Sequence, residues 1–210
     1  MIIAVDGPAA SGKGTIARAL ARHYKLPHLD TGLLYRAVGQ TVLDRGGDPA
    51  SETDALAACD FDDALLDDLR LKSGTVGNAA SVVSAHPAVR AALIERQQRF
   101  ANQPGGAVLD GRDIGTVIAP HADAKLFVRA TSAVRARRRH EELVRSGGTI
   151  SYDRVLADIK ARDLRDSTRS AAPLKQADDA VLLDTSFLSI ESAINHAIEL
   201  VEGQLVKRPA

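Results

Sequence analysis

The stretch IIAVDGPAASGKGTIARALARHY, residues 2–24, decides the fold of this chain. Its β-branched start, Ile2–Val5, predicts a buried strand, and its end, Lys13–Tyr24, carries apolar residues at helical spacing and predicts a helix. The intervening GPAASGKGT, Gly7–Thr15, holds three glycines, one lysine and no bulky side chain, so it cannot contribute to a hydrophobic core. The loop must surround something other than the protein's own side chains.

The alternation of strands and helices continues to the end of the chain. Further strands are predicted at 26–30, ending at Asp30, at 107–110, at 124–130 and at 180–186. Further helices are predicted over Tyr35–Arg45, Ala88–Phe100, Ser132–Arg145, Ser151–Asp166 and Ser189–Leu205. This order predicts an α/β fold with a parallel sheet and helices on both faces.

The length of 210 residues predicts one domain with a small insert. We expect a core over residues 1–47 and 86–210, an insert over about 48–85, and a lid over about 138–152. The insert has weak periodicity and five crowded aspartates, Asp60, Asp62, Asp63, Asp67 and Asp68. A small subdomain or flap and a solvated acidic helix face both remain open for it. The tail from Val206 to Ala210 is expected to fray.

Composition narrows the class of protein. Lys and Arg total 27, as do Asp and Glu, so the formal charge is zero and a general nucleic-acid binder is not expected. Cys59 is the single cysteine, which excludes an internal disulfide and a cysteine-based zinc site. No secretory leader and no membrane-length apolar run is visible. We expect a cytoplasmic monomer with no membrane or nucleic-acid partner.

The glycine loop matches the P-loop spacing, Gly7-x-x-x-x-Gly12-Lys13, between a strand and a helix. Successive main-chain N–H groups and the helix N-terminus attract an anion there, and Lys13 adds a mobile positive charge for the β- and γ-phosphates. The predicted fold is therefore the three-layer P-loop NTPase fold. The ATP-binding residues are expected to be Gly7, Pro8, Ala9, Ala10, Ser11, Gly12, Lys13, Gly14 and Thr15.

The residue after the lysine narrows the class further. A P-loop usually continues with Ser or Thr, whose hydroxyl binds Mg²⁺, but here Gly14 follows and the hydroxyl comes at Thr15. GKGT is typical of kinases of small metabolites and nucleotides, and the guanine-specifying Asn-Lys-x-Asp of GTPases is absent from the sequence. We expect ATP as the nucleotide, with Mg²⁺ as cofactor.

Arginines concentrate in the second half of the chain, where phosphoryl transfer between two anions would need them to screen repulsion. Arg138 lies in an arginine-rich helix beside RSGG, which predicts a closing lid. An individual arginine in this helix is equally compatible with a solvated face that pairs with Glu141 or Glu142.

Two further motifs lie where predicted strands end, at the edge that binds ligands in open α/β sheets. LDGRD places Asp110 as a candidate Mg²⁺ group acting through water, with a helix or turn cap as the alternative, and Arg112 and Asp113 follow it. DTGLLYR places an arginine, Arg36, where it could meet an acceptor phosphate with two hydrogen bonds.

Taken together, these motifs resemble the bacterial cytidylate kinase family. The residues that carry the resemblance span most of the chain in family order: DGPAASGKGTIARALA, LDTGLLYRAV, NAASVVSAHPAVRAALIERQQRF, LDGRDIGTVIAPHADAKLFVRAT, RRRHEEL and IKARDLRDSTRSAAPLKQADDAVLLDTS. The chain departs from the family pattern in a shorter insert, in Lys72 where an arginine is common, and in Thr31 where a serine is common.

The resemblance implies transfer of the ATP γ-phosphate to CMP or dCMP. It implies a CMP phosphate on Arg36, Arg112 and Arg162, cytosine read by Ser81, Arg90 and Asp113, the sugar near Tyr35, Asp166 and Arg169, and Thr31 lining the pocket. The catalytic residues are expected to be Lys13, Arg112, Arg138 and Arg162. Without the resemblance, Ser81 and Arg90 could be surface groups.

Two other functions fit parts of the sequence. Another P-loop kinase of a small metabolite, of the shikimate or adenylate type, shares the glycine loop. A nucleotide-binding regulator without a small acceptor also shares it, and would bind RNA in a salt-sensitive manner. Cytosine offers an exocyclic amine to a carboxylate, whereas uracil places a carbonyl there, so Asp113 favours the cytidylate hypothesis.

Overall fold

The computed structural model describes residues 1–206, and its centre is a five-stranded parallel sheet. The strands are β1 (Ile2–Asp6), β2 (His28–Asp30), β3 (Ala107–Gly111), β4 (Ala124–Arg129) and β5 (Val181–Asp184). Their order across the sheet is β2-β3-β1-β4-β5, and every neighbouring pair is parallel. The predicted α/β fold is confirmed.

Eight α-helices connect and cover the strands in the described part of the chain. They are α1 (Lys13–Tyr24), α2 (Thr31–Asp44), α3 (Glu52–Ala57), α4 (Gly74–Val83), α5 (Pro87–Ala101), α6 (Ser132–Arg145), α7 (Tyr152–Thr168) and α8 (Ile190–Val206). The bounds of α1 and α6 are those predicted. Helix α2 begins four residues earlier than predicted, because the Asp30 carboxylate caps it by accepting from the Gly32 N–H.

The core lies on both faces of the sheet, as the alternation of side chains along β1 requires. On one face Ile3 and Val5 pack with residues of α1 and α8, including Leu20 and Val201. On the other face Ala4 belongs to a cluster with residues of α5 and the segment after β3. Aliphatic side chains fill both clusters, in agreement with the small aromatic content.

The segment between α2 and α5 is helical. After α3 come two single 3₁₀ turns, Asp63–Asp67 and Leu69–Lys72, and then α4. Asp62 and Asp68 cap these turns by accepting from N–H groups two residues on, which gives two of the crowded aspartates a local structural use. The division of the chain into core, insert and lid stays a prediction.

Two further expectations concern the C-terminal tail and the absence of a membrane span. Of the tail expected to fray, residues 207–210 lie outside the described residues, while Val206 ends α8. No helix within residues 1–206 combines the length and the apolar character that a bilayer crossing requires.

Candidate active site

The carboxyl ends of β1, β2 and β3 border a cleft of about 800 Å³. Lysine, carboxylate and arginine side chains all line it, among them Lys13, Asp30, Asp110, Arg36 and Arg162. This is the edge at which ligands bind in open parallel sheets. The motifs singled out in the sequence therefore meet in one place.

The glycine loop has a backbone that few other residues could adopt. Gly12 has φ +94° and Gly7 has φ +156°, and a Cβ on Gly7 would lie 2.1 Å from the carbonyl oxygen of Val128. Ala10 also takes a left-handed conformation, with φ +59°. Since Gly12 is the N-cap of α1, the N–H groups at this helix terminus lie beside the cleft.

Lys13 lies in a crowded electrostatic environment. Burial and the neighbouring Arg112 lower the pKa of Lys13 to about 8, while Asp110 and Asp30 act in the opposite direction. An ammonium group held in this way gains from a further anion, which a phosphate would supply.

Two carboxylates lie at the ends of adjacent strands. Burial and then Asp110 raise the pKa of Asp30. Asp110 lies within β3 and contacts His28 Nε2 through Oδ1 at 2.8 Å, so the alternative that it caps a helix or turn is wrong. Thr31 Oγ1 donates to the carbonyl oxygen of Asp110. These carboxylates and Thr15, which also lines the cleft, offer the hard oxygen ligands that Mg²⁺ prefers.

Three charged residues from β3's end and α7 form a linked group. Arg112 Nε donates to Asp166 Oδ2 over 2.9 Å, and Arg162 Nε lies 3.9 Å from the same oxygen. Burial and Arg112 lower the pKa of Arg162 to about 9, and its Nε has no hydrogen-bond partner among residues 1–206. Burial acts to raise the pKa of Asp166, but Arg112 and Arg162 hold it below the usual value. The group carries more positive than negative charge and faces the cleft.

Two other arginines touch the segment before α4. Arg36 donates to the carbonyl oxygens of Leu71, over 2.5 Å, and Ser73, over 3.4 Å, while Arg139 donates to that of Lys72. Burial and the nearby Arg139 lower the pKa of Arg36. Both arginines line the cleft, so their contacts join its wall to the segment between α2 and α4.

A second, narrower pocket of about 30 Å³ opens beside the linked charged residues of β3's end and α7. It lies between α2, α4 and the residues after β3. Asp113 forms an ion pair with Arg90 and lies 3.9 Å from Arg169. The Arg90 guanidinium also lies over the Tyr35 ring, 5.4 Å from its centre. Burial and then Arg90 lower the pKa of Arg169, and no described residue forms a hydrogen bond with its Nη2.

Ser81 is not among the described residues that line this narrow pocket, although its neighbours Ala80 and Ser84 are. Its hydroxyl accepts from Arg165 Nε over 3.2 Å. Ser81 and Arg90 are both buried, so the alternative that they are surface groups is wrong.

The arginines of α6 divide into four environments, one of which is the cleft wall already described for Arg139. Arg138 donates to the Thr185 hydroxyl and carbonyl oxygen and to the carbonyl oxygen of Ser11, behind the glycine loop, and is not among the cleft-lining residues of the described chain. Arg135 is buried against Asp163. Arg137 and Arg145 are exposed, as the solvated-face alternative requires of them.

Sequence reasoning missed three residues that shape the site. Asp6 is buried at the end of β1, and its two carboxylate oxygens accept from the N–H groups of Ile114 and Gly115, each over 2.8 Å. Arg165 and His28 were also missed. A polar residue at the end of a buried strand is a signal for Asp6, but no spacing rule indicates a partner more than 100 residues away.

Three features together define a P-loop kinase. They are the parallel sheet, the glycine loop between β1 and α1, and the arginines that line the cleft. The model of the family "Cytidylate kinase" matches residues 3–203. A cytidylate kinase from Xanthobacter autotrophicus is 60% identical over 208 residues, which cover 99% of this chain and 100% of that protein. A cytidylate kinase from Methylocella silvestris is 57% identical, with 97% and 94% covered. The chain belongs to the cytidylate kinase family.

Solved structures show a more distant likeness. An uncharacterized protein from Eubacterium ventriosum superposes with a TM-score of 0.53 at 16% sequence identity, covering 96% of this chain and 98% of that one. At this identity the likeness concerns the fold alone.

Proposed function

We propose that the cleft carries out the reaction for which the family is named. The chain is an ATP-dependent phosphotransferase that transfers the γ-phosphoryl group of ATP to CMP or dCMP and releases ADP. In this reaction the bond from the γ-phosphorus to its bridging oxygen breaks, and a new bond forms to a phosphate oxygen of the acceptor. The roles of individual residues are the part that needs a test.

The glycine loop, Gly7–Thr15, holds the triphosphate in our proposal. Its main-chain N–H groups surround the phosphates, and Lys13 meets the β- and γ-phosphate oxygens. Asp110, acting through water, and Thr15 would hold Mg²⁺, which when bound neutralises charge on the phosphates. The oxygen donors beside Lys13 support this assignment.

The acceptor phosphate lies against the opposite wall, on Arg36, Arg112 and Arg162. The observation that carries the proposal is the Arg162 guanidinium, which lies in the cleft with a pKa lowered to about 9 and an Nε that has no hydrogen-bond partner in the described part of the chain. A dianionic phosphate bound beside Arg162 favours its charged form, and so raises the pKa that burial and Arg112 lower. Arg36 has to exchange its contacts with carbonyl oxygens for the phosphate.

The narrow pocket reads the base and the sugar. Asp113 accepts from the exocyclic amine of cytosine, while Arg90 and Ser81 donate to its ring acceptors. Tyr35, Asp166 and Arg169 lie near the sugar, and Thr31 lines the pocket. Uracil would place a carbonyl against Asp113 and leave two acceptors facing each other, which costs binding energy.

The rate arises from positioning and charge. A phosphate oxygen is already a nucleophile, so the residues bring two anions together and stabilise the charge that moves between them, without a general base. Lys13 from one side and Arg112 and Arg162 from the other supply that charge. Arg138 is proposed to contribute from the lid, after a change of partners. A monomeric, cytoplasmic protein stays a prediction.

An acceptor panel tests the proposal. ADP release is measured with ATP plus CMP, dCMP, UMP, AMP or shikimate in parallel. We expect fast turnover with the two cytidine nucleotides and little with the others. Equal rates with AMP refute the base assignment, and ATP hydrolysis that CMP does not alter favours a regulator.

In addition, Asp113→Ala should reduce the preference for CMP over UMP, and unchanged selectivity would place base reading elsewhere.

A further inference from the structure

Arg165 is outside the set of arginines assigned to the substrates, yet its side chain reaches the interface between α7 and α4. Its Nε donates to Ser81 Oγ over 3.2 Å, although the two residues are 84 positions apart. Ser81 is only 2% exposed, so few other partners are available to that hydroxyl. A cationic donor on a buried hydroxyl restricts the direction in which the hydroxyl proton can point.

We propose that Arg165 is a positioning residue for base selection, which holds the Ser81 hydroxyl as a hydrogen-bond donor toward the base. The inference rests on the proposed function, in which Ser81 meets cytosine. It adds to that function a residue, Arg165, that affects the preference for cytosine by orienting Ser81.

Ser81 has the right location for this role. Ser84, the residue that caps the C-terminus of α4, follows it by about one helical turn. Ser84 lines the narrow pocket together with Arg90 and Asp113, and its hydroxyl donates to the carbonyl oxygen of Ser81. Ser81 itself is not among the described residues that line this pocket, but Ala80 before it and Ser84 after it are, so a base bound in the pocket would approach this end of α4.

The chemistry of one hydroxyl explains the selectivity. A serine hydroxyl has one proton and two lone pairs, and the Arg165 N–H occupies one lone pair. The hydroxyl proton must point away from Arg165, since two protons cannot share the contact. The positive charge also polarises the O–H bond and makes it a better donor.

Cytosine and uracil differ at the ring nitrogen as well as at the exocyclic group. N3 of cytosine accepts a hydrogen bond, whereas N3 of uracil carries a proton and donates. A Ser81 hydroxyl held as a donor pairs with cytosine and faces a second proton in uracil. Asp113 would thus distinguish the two bases at the exocyclic group, and the Arg165–Ser81 pair would distinguish them at N3.

A double-mutant cycle tests the proposal. The values of kcat/KM for CMP and UMP are measured for the wild type, Arg165→Met, Ser81→Ala and the double variant. Removing one hydrogen-bond constraint is worth about a 3- to 10-fold fall in the CMP/UMP ratio. We expect Arg165→Met to show this fall with an unchanged KM for ATP, and the double variant to be no less selective than Ser81→Ala alone.

Lys160→Met is the matched control, because Lys160 is an exposed cation on the same helix. It should leave the ratio unchanged. Thermal unfolding is recorded for each variant, and Arg165→Ala replaces Arg165→Met if the latter does not fold. The proposal is overturned if Arg165→Met lowers kcat/KM for CMP and UMP by the same factor, or if its effect on the ratio adds in full to that of Ser81→Ala.

The failure of this inference is distinguishable from the failure of the proposed function. A wild type that does not phosphorylate CMP refutes the function. A selective wild type whose CMP/UMP ratio is unaffected by Arg165→Met refutes only the role of Arg165.

Discussion

The two sides of the cleft are built in different ways. The side proposed to hold ATP, here called the donor side, is main chain from the nine consecutive residues Gly7–Thr15, with one lysine side chain. The side proposed to hold CMP, the acceptor side, is made of side chains from α2, α4, α5, α7 and the end of β3, drawn from residues more than 100 positions apart. A main-chain anion site is local and fixed by backbone conformation, whereas a side-chain site exists only after the whole domain has assembled.

The largest effect should come from the one side chain on which the donor side depends. Lys13→Ala removes the charge that meets the transferred group, and we expect kcat to fall by at least about 10³-fold with every acceptor. Steady-state kinetics with CMP and dCMP measure this loss. Arg22→Ala, an exposed cation on α1, is the control and should retain full activity. A small loss for Lys13→Ala would mean that the main chain alone holds the donor.

A glycine substitution in the loop of the donor side should destabilise the protein by displacing the backbone, without any change of charge. In Gly7→Ala the new Cβ would meet the Val128 carbonyl oxygen at 2.1 Å, so the loop must move, and we expect the free energy of unfolding to drop by about 3 kcal/mol. Denaturant unfolding measures it. A Cβ on Gly203, within α8, meets no atom of the described residues within 4 Å, so Gly203→Ala should be neutral or stabilising. Equal stability of the two variants would contradict the close approach.

The acceptor side should lose function without losing stability. Arg162→Met removes a half-buried charge that lies beside Arg112 and whose Nε has no hydrogen-bond partner among residues 1–206. We expect kcat/KM for CMP to fall by about 10²-fold, while the KM for ATP changes little and the free energy of unfolding falls by no more than about 1 kcal/mol. Kinetics with each substrate varied, together with denaturant unfolding, decide this. A parallel rise in the KM for ATP would show that the two sides are not separate.

The smallest effect concerns Asp6, which joins the two sides by binding the turn after Asp113. Burial raises the pKa of Asp6 to about 7, even though the N–H groups of Gly115 and Ile114 oppose the shift. Because the folded state then binds the proton more tightly than the unfolded chain, this group's contribution to stability is lost as pH rises from about 4 to about 7.

The Asp6→Asn variant isolates that contribution. Between pH 5 and 7 the wild type should lose about 2 kcal/mol of unfolding free energy relative to Asp6→Asn, which cannot ionise. Denaturant unfolding of both proteins at several pH values measures the difference. Parallel pH profiles for the two proteins would contradict the raised pKa.

The difference between the two sides also explains what could be predicted from the sequence. The strand, glycine loop and helix over residues 2–24 have the predicted bounds within one residue, because periodicity and loop chemistry are local properties. The residues after β2 and β3 are in the predicted place, since parallel strands present their carboxyl ends to one edge. Their partners, such as Asp166 for Arg112, depend on tertiary packing.

Two regions resisted prediction for physical reasons. Between Asp48 and Ala85 the 3₁₀ turns are too short to show a period and are held by aspartate caps, so the sequence left both a small subdomain or flap and a solvated acidic helix face open there. Asp6 and Arg165 contact groups 108 and 84 residues away, and no pattern in a single sequence indicates such partners.

A structure of the protein with CMP and a non-hydrolysable ATP analogue would show whether two anions meet in the cleft. We expect the triphosphate on the main chain of Gly7–Thr15 and the CMP phosphate on Arg112 and Arg162, with the two phosphates facing each other beside Lys13. CMP bound on a different face, with Arg162 still lacking an anion, would contradict this expectation.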